Sequence, residues 1–316
     1  MPIVRTDMPV TAESCERMIL EIVEAYPFCR TEVIAHTAYG RPLRTLVIGR
    51  GPRKVIYSAA HHANEWITAL VLLQFAEEFA QAIKTGGRIF GVDAKALADT
   101  ATVYMVPMVN PDGVDLVTGA IPPDTMPYRC AQTLAEFYPS IPFPKGWKAN
   151  LDGVDLNLQY PAGWLTAREI KFSQGYTRPG PRDYVGRAPL TQPEAKALAG
   201  YTEYIDPALV LAYHAQGEVI YWEFRDYFVA DARALGEAFA RFSGYALEDA
   251  PYESSFAGYK DWFIQNFRRP GYTIEVGQGE NPLPLSQFPK IYRDNLGILV
   301  TAALGEAPQV QSRENS

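Results

Sequence analysis

Residues 54–83 read KVIYSAAHHANEWITALVLLQFAEEFAQAI, an apolar β-prone run that passes into an amphipathic helix with no linker between them. The first part predicts a strand over Lys54–Ala60. The second predicts a helix over Ala63–Ile83, with Leu70, Leu73, Phe75 and Phe79 on or near one face. A strand that feeds directly into a helix is the repeating unit of parallel α/β sheets. Working outward, Val10–Tyr26 has helical spacing (Met18, Ile19, Ile22, Val23), and Thr31–Ala35 and Leu43–Ile48 read as strands set off by Gly and Pro. Thr102–Val109 (TVYMVPMV) is the continuous apolar run of a strand buried on both faces, with Pro107 ending its ladder.

Further along, helices are expected over Gln192–Tyr204, Tyr227–Phe242 and Pro284–Ala303, and strands over Ala208–Tyr213, Val219–Trp222 and Gly271–Val276. Gly119–Lys148 and Pro161–Pro189 show no clear period and read as long irregular stretches, of a length at which loops are often functional. The fold class is α/β: a mostly parallel, mixed, twisted sheet with helices on both faces. No break in composition divides the chain, so one domain is expected over residues 1–304 and a frayed polar tail over 305–316.

Composition removes several classes of function. The 316 residues carry 29 Lys+Arg against 36 Asp+Glu, a formal charge of −7, and no basic run that could neutralise phosphates. Nucleic acid and anionic membrane surfaces are therefore not expected partners. At 47% hydrophobic residues the chain can bury a core, and no apolar run approaches the ~18 residues of a membrane span. The start, MPIVRTDMPVTAES, lacks a charged-then-apolar leader pattern, which gives a cytoplasmic expectation. Cys15, Cys29 and Cys130 are odd in number and lack a CxxC spacing, which fits reduced thiols rather than a disulfide scaffold.

Only four histidines are available for imidazole chemistry: His36, His61, His62 and His214. His62 and Glu65 are three residues apart where the strand ends and the helix begins, so one turn aims both side chains the same way. An imidazole and a carboxylate so placed can share a small cation, and zinc suits this donor set. His61 also pairs with Glu65 at a spacing of four. Adjacent residues at a strand end face opposite sides, so His62 is preferred and His61 is read as a supporting or packing residue. A third ligand must come from elsewhere. His214 ends the apolar strand before Ala-Gln-Gly, at the edge where α/β sheets bind ligands, whereas His36 reads as exposed or capping. Glu275 is a charged residue inside the apolar run Tyr272-Thr-Ile-Glu-Val276. Two readings of it stand, a structural salt bridge or a carboxylate beside the metal site.

These residues resemble the zinc carboxypeptidase family, related in fold to carboxypeptidase A. The resemblance is carried by an ordered set: His62-Ala-Asn-Glu-Trp-Ile-Thr68, Val109-Asn-Pro-Asp-Gly113, Trp147-Lys-Ala-Asn150, Gly153-Val-Asp-Leu-Asn157, Tyr213-His214, Asp261-Trp262 and Thr273-Ile-Glu275. It implies one zinc ion held by His62, Glu65 and His214. It also implies Glu275 as general base for the attacking water and Lys148 as the cation at the scissile carbonyl, where carboxypeptidase A has Arg. By the same resemblance Asn157 binds substrate, and Tyr252 stands near the place of a substrate-capping tyrosine.

After Asn157 the sequence departs from the family. Carboxypeptidases have Asn-Arg there to grip a C-terminal carboxylate, and this chain has Leu158. The stretches His214–Trp222 and Gly277–Pro284 resemble a bacterial branch, the γ-D-glutamyl-L-diamino acid endopeptidases, which cut peptidoglycan stem peptides. The expected partner is thus an anionic stem peptide, and Arg182 in Pro179-Gly-Pro-Arg-Asp-Tyr184 either replaces the missing arginine or forms a surface ion pair. The alternatives are a carboxypeptidase releasing C-terminal residues, an aspartoacylase-type deacylase, and an inactive wall-peptide-binding protein. Oligomeric state is left open.

Overall fold

The computed structural model describes residues 2–308. In chain order the first elements are α1 (Ala12–Ala25), β1 (Val33–His36), β2 (Pro42–Arg44), β3 (Leu46–Gly49), β4 (Arg53–Ala59) and α2 (Ile67–Thr85). There follow β5 (Arg88–Ile89), β6 (Val92–Asp93), α3 (Ala94–Thr100), β7 (Ala101–Val106), α4 (Pro111–Thr118), α5 (Met126–Ala135) and α6 (Trp164–Ser173). The last are α7 (Pro193–Ile205), β8 (Leu209–His214), β9 (Val219–Tyr221), α8 (Ala232–Ser243), β10 (Ala246–Glu248), α9 (Tyr259–Phe267), β11 (Gly271–Glu275) and α10 (Phe288–Leu304).

Seven strands form the central sheet in the order β10-β9-β11-β8-β4-β7-β3. The run β11-β8-β4-β7 is parallel, while β9 pairs antiparallel with β11 and β3 antiparallel with β7. The sheet is therefore mixed and largely parallel, as expected. Its apolar runs are explained by burial on both faces. In β8, Leu209, Leu211 and Tyr213 join a core with α2, α8 and α10, while Val210 and Ala212 join a second core with α7 and α9. The functional edge is the carboxyl end of β4, β8 and β11, where His62, His214 and Glu275 stand.

Several segments differ from the sequence expectation. The irregular stretch 119–148 contains α5, whose Ala131 and Ala135 are buried in a small third core with Trp147, Leu116 and Leu151. Likewise 161–189 contains α6, which follows Gly163 at φ 67° and buries Trp164, Ala167 and Lys171. Both helices bury few residues, too few to give the sequence a clear period. The single strand expected over Leu43–Ile48 divides at Thr45: β2 pairs with β1 and β3 with β7. The helix expected from Tyr227 begins at Ala232, after Asp231 at φ 63°. Strand β7 ends at Val106, directly before Pro107, because proline cannot donate to the ladder. Of the tail expected over 305–316, the residues past 308 lie outside the described residues.

Helices α3, α4 and α9 are further elements that the periodicity did not predict. α4 carries the start signals of one: Asn110 accepts from the Gly113 N–H at 3.0 Å, and Pro111 follows it. The Asn110 side-chain amide also donates to the His61 carbonyl (3.1 Å) and the Ala149 carbonyl (3.0 Å). The Asn-Pro-Asp-Gly motif therefore ties the β4 exit to the Trp147–Asn150 segment.

One group in this scaffold makes stability depend on pH. Glu194, in the first turn of α7, is buried, and its Oε2 has no partner among the described residues. Burial, reinforced by Asp112 and Asp152, pushes its carboxyl up to about 7. Between pH 4.5, the ordinary value, and pH 7 the unfolded chain loses this proton while the folded one keeps it, so stability falls as pH rises. Glu194→Gln should be more stable than wild type at pH 8, by on the order of 1–3 kcal/mol, and close to it at pH 4. Urea unfolding at the two pH values checks this; an equal difference at both would refute it.

Candidate metal centre and its cleft

At the carboxyl end of β4 the chain enters a 3-10 turn, Ala63–Glu65, before α2 begins. His62 precedes the turn with extended backbone, and the Glu65 N–H donates to the His62 carbonyl at 3.1 Å, which closes one turn and brings the two side chains together. His62 Nδ1 lies 2.8 Å from Glu65 Oε1, and His214 Nδ1, from the end of β8, lies 3.0 Å from Glu65 Oε2. The two imidazole Nδ1 atoms are 3.2 Å apart. Among the described residues these three form the one metal-capable group, all buried, with ligand atoms within 4.8 Å of one another.

Charge explains why such a cluster suits a cation. Burial opposes the ionised form of Glu65, but the His62 and His214 contacts outweigh it and hold the carboxyl well below its ordinary range. Burial likewise opposes the His62 imidazolium, but Glu65 and then Asp155 hold it up at about 9. The pocket thus stabilises positive charge at the point where the ligand atoms converge. On its far side, His62 Nε2 sits 3.1 Å from Asp155 Oδ1, the outer carboxylate contact that fixes the tautomer and orientation of a ligating imidazole. Two imidazole nitrogens and one carboxylate, with a cleft above them, fit a zinc ion that keeps an open position.

His61 points elsewhere. It is buried, stacks on His214 with centroids 5.4 Å apart, and places Nε2 3.3 Å from the Tyr160 hydroxyl. Burial first, then the neighbouring imidazoles, hold it well below its ordinary value, so it is a neutral packing group. His36 is exposed at the end of β1.

A cleft of about 770 Å³ opens over His62 and Glu65, with Ala215, the neighbour of His214, also in its lining. Glu275 ends β11 in register with His214 and lines this cleft. Burial, then the charge of Glu65, pushes its carboxyl up to about 8, against Lys148 and His62. A divalent cation at the ligand point acts in the opposite direction, toward the ionised form that a base needs. Lys148 Nζ is 3.8 Å from Glu65 Oε1. Its segment is clamped by the Ala63 N–H on the Lys148 carbonyl (2.9 Å) and the Lys148 N–H on the Pro181 carbonyl (2.7 Å).

Asn157, Leu158 and Arg182 also line the cleft. Tyr252 is not brought in: it is 67% exposed, packs edge-on against Phe256 at 5.1 Å, and is outside the lining, although its neighbours Pro251 and Ser254 belong to it. Sequence reading gave no role to Asp155, Lys171, Asp183 or Lys260, all of which line the cleft. Asp155 had a readable signal, an acidic residue two before Asn157 in Gly153-Val-Asp-Leu-Asn157. Lys171 and Asp183 sit in the stretch without a period and had none.

Residues 15–297 match the zinc carboxypeptidase family. The chain is 43% identical over 282 residues to gamma-D-glutamyl-L-diamino acid endopeptidase 1 of Lysinibacillus sphaericus, covering 89% of this chain and 69% of that one. In structure it resembles thrombin activatable fibrinolysis inhibitor, with a TM-score of 0.75 at 18% identity over 98% of this chain and 78% of that one. It also resembles carboxypeptidase A of Helicoverpa armigera, with a TM-score of 0.69 at 17% identity over 96% and 75%. At these identities the two structures establish the shared fold.

Removing a ligand should remove the metal. Glu65→Gln is expected to lose stoichiometric zinc, and Asp155→Asn to bind zinc about 10–100-fold more weakly while folding normally. Metal content after gel filtration and competition against a chelator measure both. Full zinc occupancy in Glu65→Gln would refute the ligand set.

Proposed function

We propose that this chain, which belongs to the zinc carboxypeptidase family, is a zinc peptidase that hydrolyses the amide bond between a γ-D-glutamyl residue and a diamino acid in bacterial wall peptides. The observation that carries the peptidase reading is the register of β8 and β11, which sets Glu275 beside His214 and over the cleft that holds His62 and Glu65. Support for the bond preference comes from the 43% identical relative of that name and from Leu158. A leucine side chain cannot grip the C-terminal carboxylate that an ordinary carboxypeptidase must hold.

Zinc, when bound, supplies Lewis acidity that activates water near neutral pH and polarises a carbonyl oxygen. Glu275 takes the proton of the attacking water and returns it to the leaving nitrogen, so the same carboxyl acts as base and then acid. Lys148 stands where negative charge grows on the carbonyl oxygen. Its ammonium stabilises that charge as a point charge, without the forked hydrogen bonds of a guanidinium. Asn157 accepts the Tyr259 N–H on its Oδ1 at 3.1 Å, which anchors the side chain and keeps its amide N–H₂ for substrate. Arg182 supplies a second cation for an anionic peptide.

The zinc-loaded protein should cleave L-Ala-γ-D-Glu-diaminopimelate to L-Ala-D-Glu and diaminopimelate, identified by mass spectrometry. Glu275→Gln should keep its zinc and lose at least about 10³-fold in turnover. Release of C-terminal residues from ordinary peptides, with the stem peptide left intact, would overturn the proposed specificity. Retained turnover in Glu275→Gln would overturn the base.

A further inference from the structure

The cleft holds a second charged unit beside the metal ligands. Lys171, buried on α6, places Nζ 2.8 Å from Asp183 Oδ1, and Arg182 donates from Nε to Asp183 Oδ2 at 2.5 Å. The Asp183 N–H in turn donates to Asp155 Oδ2 (3.3 Å), whose other oxygen lies against His62. Both oxygens of Asp183 are therefore used in holding cations. Arg182 spends only its Nε in this contact. Among the described residues its two terminal nitrogens have no protein partner, and its side chain is 40% exposed at the cleft. Four N–H donors in one plane are the complement of a carboxylate.

Position decides which carboxylate. Glu275 adjoins the metal point through His214. Asp155 adjoins it through His62 and holds the N–H groups of both Asp183 and Asn157, so the contact of the Arg182 turn with Lys148 gives the side on which Arg182 stands. Arg182 follows Pro181, whose carbonyl accepts the N–H groups of both Lys148 (2.7 Å) and Ala149 (2.9 Å). Glu275 protonates the leaving amine, so the leaving diamino acid lies on the His214 side. The residue that supplies the reacting carbonyl then lies over Lys148 and Arg182. In a γ-linked glutamyl residue the free α-carboxylate sits a short carbon chain away from that carbonyl.

We infer that Arg182 receives the free carboxylate of the acyl-side residue, and that Asp183, held by Lys171, is the positioning residue that aims it. This rests on the peptidase reading above. The enzyme therefore selects γ-glutamyl peptides whose α-carboxyl is ionised over the same peptides with that carboxyl amidated.

The test compares L-Ala-γ-D-Glu-diaminopimelate with its α-amide as substrates of the zinc-loaded protein. Wild type is expected to favour the acid by about 10–100-fold in kcat/KM, the range of a hydrogen-bonded charge pair. Arg182→Ala should bring the two peptides close to parity, by loss on the acid, and Arg182→Lys should recover part of the preference. Asp183→Asn should raise KM for the acid more than for the amide while kcat holds. Calorimetry on Glu275→Gln with and without Arg182→Ala gives the same comparison as binding, without turnover. Equal treatment of both peptides by wild type, or equal loss on both in Arg182→Ala, would overturn the inference and leave the peptidase reading intact. If neither peptide is cleaved, the peptidase reading fails, and the calorimetric preference for acid over amide still decides the role of Arg182.

Discussion

A buried ionised carboxylate between two imidazoles is the constraint around which this protein is organised. Glu65 is 1% exposed, and each of its oxygens faces a different histidine nitrogen. A buried carboxylate left alone costs several kcal/mol, and the same low-polarity surroundings that raise this cost strengthen its attraction for a cation. The site is therefore unfavourable empty of positive charge and favourable with it. Everything nearby follows from keeping three side chains from distant parts of the chain at one point.

The scaffold achieves this with the ends of parallel strands. β4, β8 and β11 are adjacent in the sheet, so their carboxyl ends deliver His62, His214 and Glu275 to one edge. The exit from β4 is closed into a turn by the Glu65 N–H on the His62 carbonyl, which brings the two side chains together. Asn110 then fastens that turn to the loop that carries Lys148. Both faces of the sheet are packed. A one-residue slip of β8 would exchange the large side chains Leu209, Leu211 and Tyr213 of one core for Val210 and Ala212 of the other, against close packing on both sides. The register that makes the core therefore also fixes the catalytic distances.

Pairing rather than net charge decides which cations of the cleft can meet a substrate. The chain as a whole is acidic at −7, and the cleft mixes both signs, with Lys145, Lys148, Lys171, Arg182 and Lys260 lining it beside six carboxylates. Lys260 is committed to Asp261, 2.6 Å away, and Lys171 to Asp183. Lys145 and the terminal nitrogens of Arg182 are left to face an incoming anion, and Lys148, 3.8 Å from Glu65 Oε1, stands beside the metal ligands. An acidic protein can thus bind an acidic peptide, because the field in a cleft is set by the groups that line it and by the low-dielectric walls around them.

Strand-to-helix order, the two-faced sheet and the His62–Glu65 pair were legible in the sequence, because each depends on local pattern or on a short spacing. The role of Glu275 came only from the family resemblance, its local sequence fitting a structural salt bridge equally well. The metal set was helped by scarcity, since four histidines leave few combinations. Helices α5 and α6 were not legible: each buries only two or three side chains, too few to impress a period. Nor was the Lys171–Asp183–Arg182–Asp155 chain, which joins a helix, a turn and a motif through contacts with no fixed sequence spacing. Periodicity and caps are local, so the sequence alone determined the elements with a strong apolar period, such as α2 and the strands β4, β7 and β8. Distances between side chains on separate elements depend on how the sheet and its loops pack, and only the tertiary structure decided those.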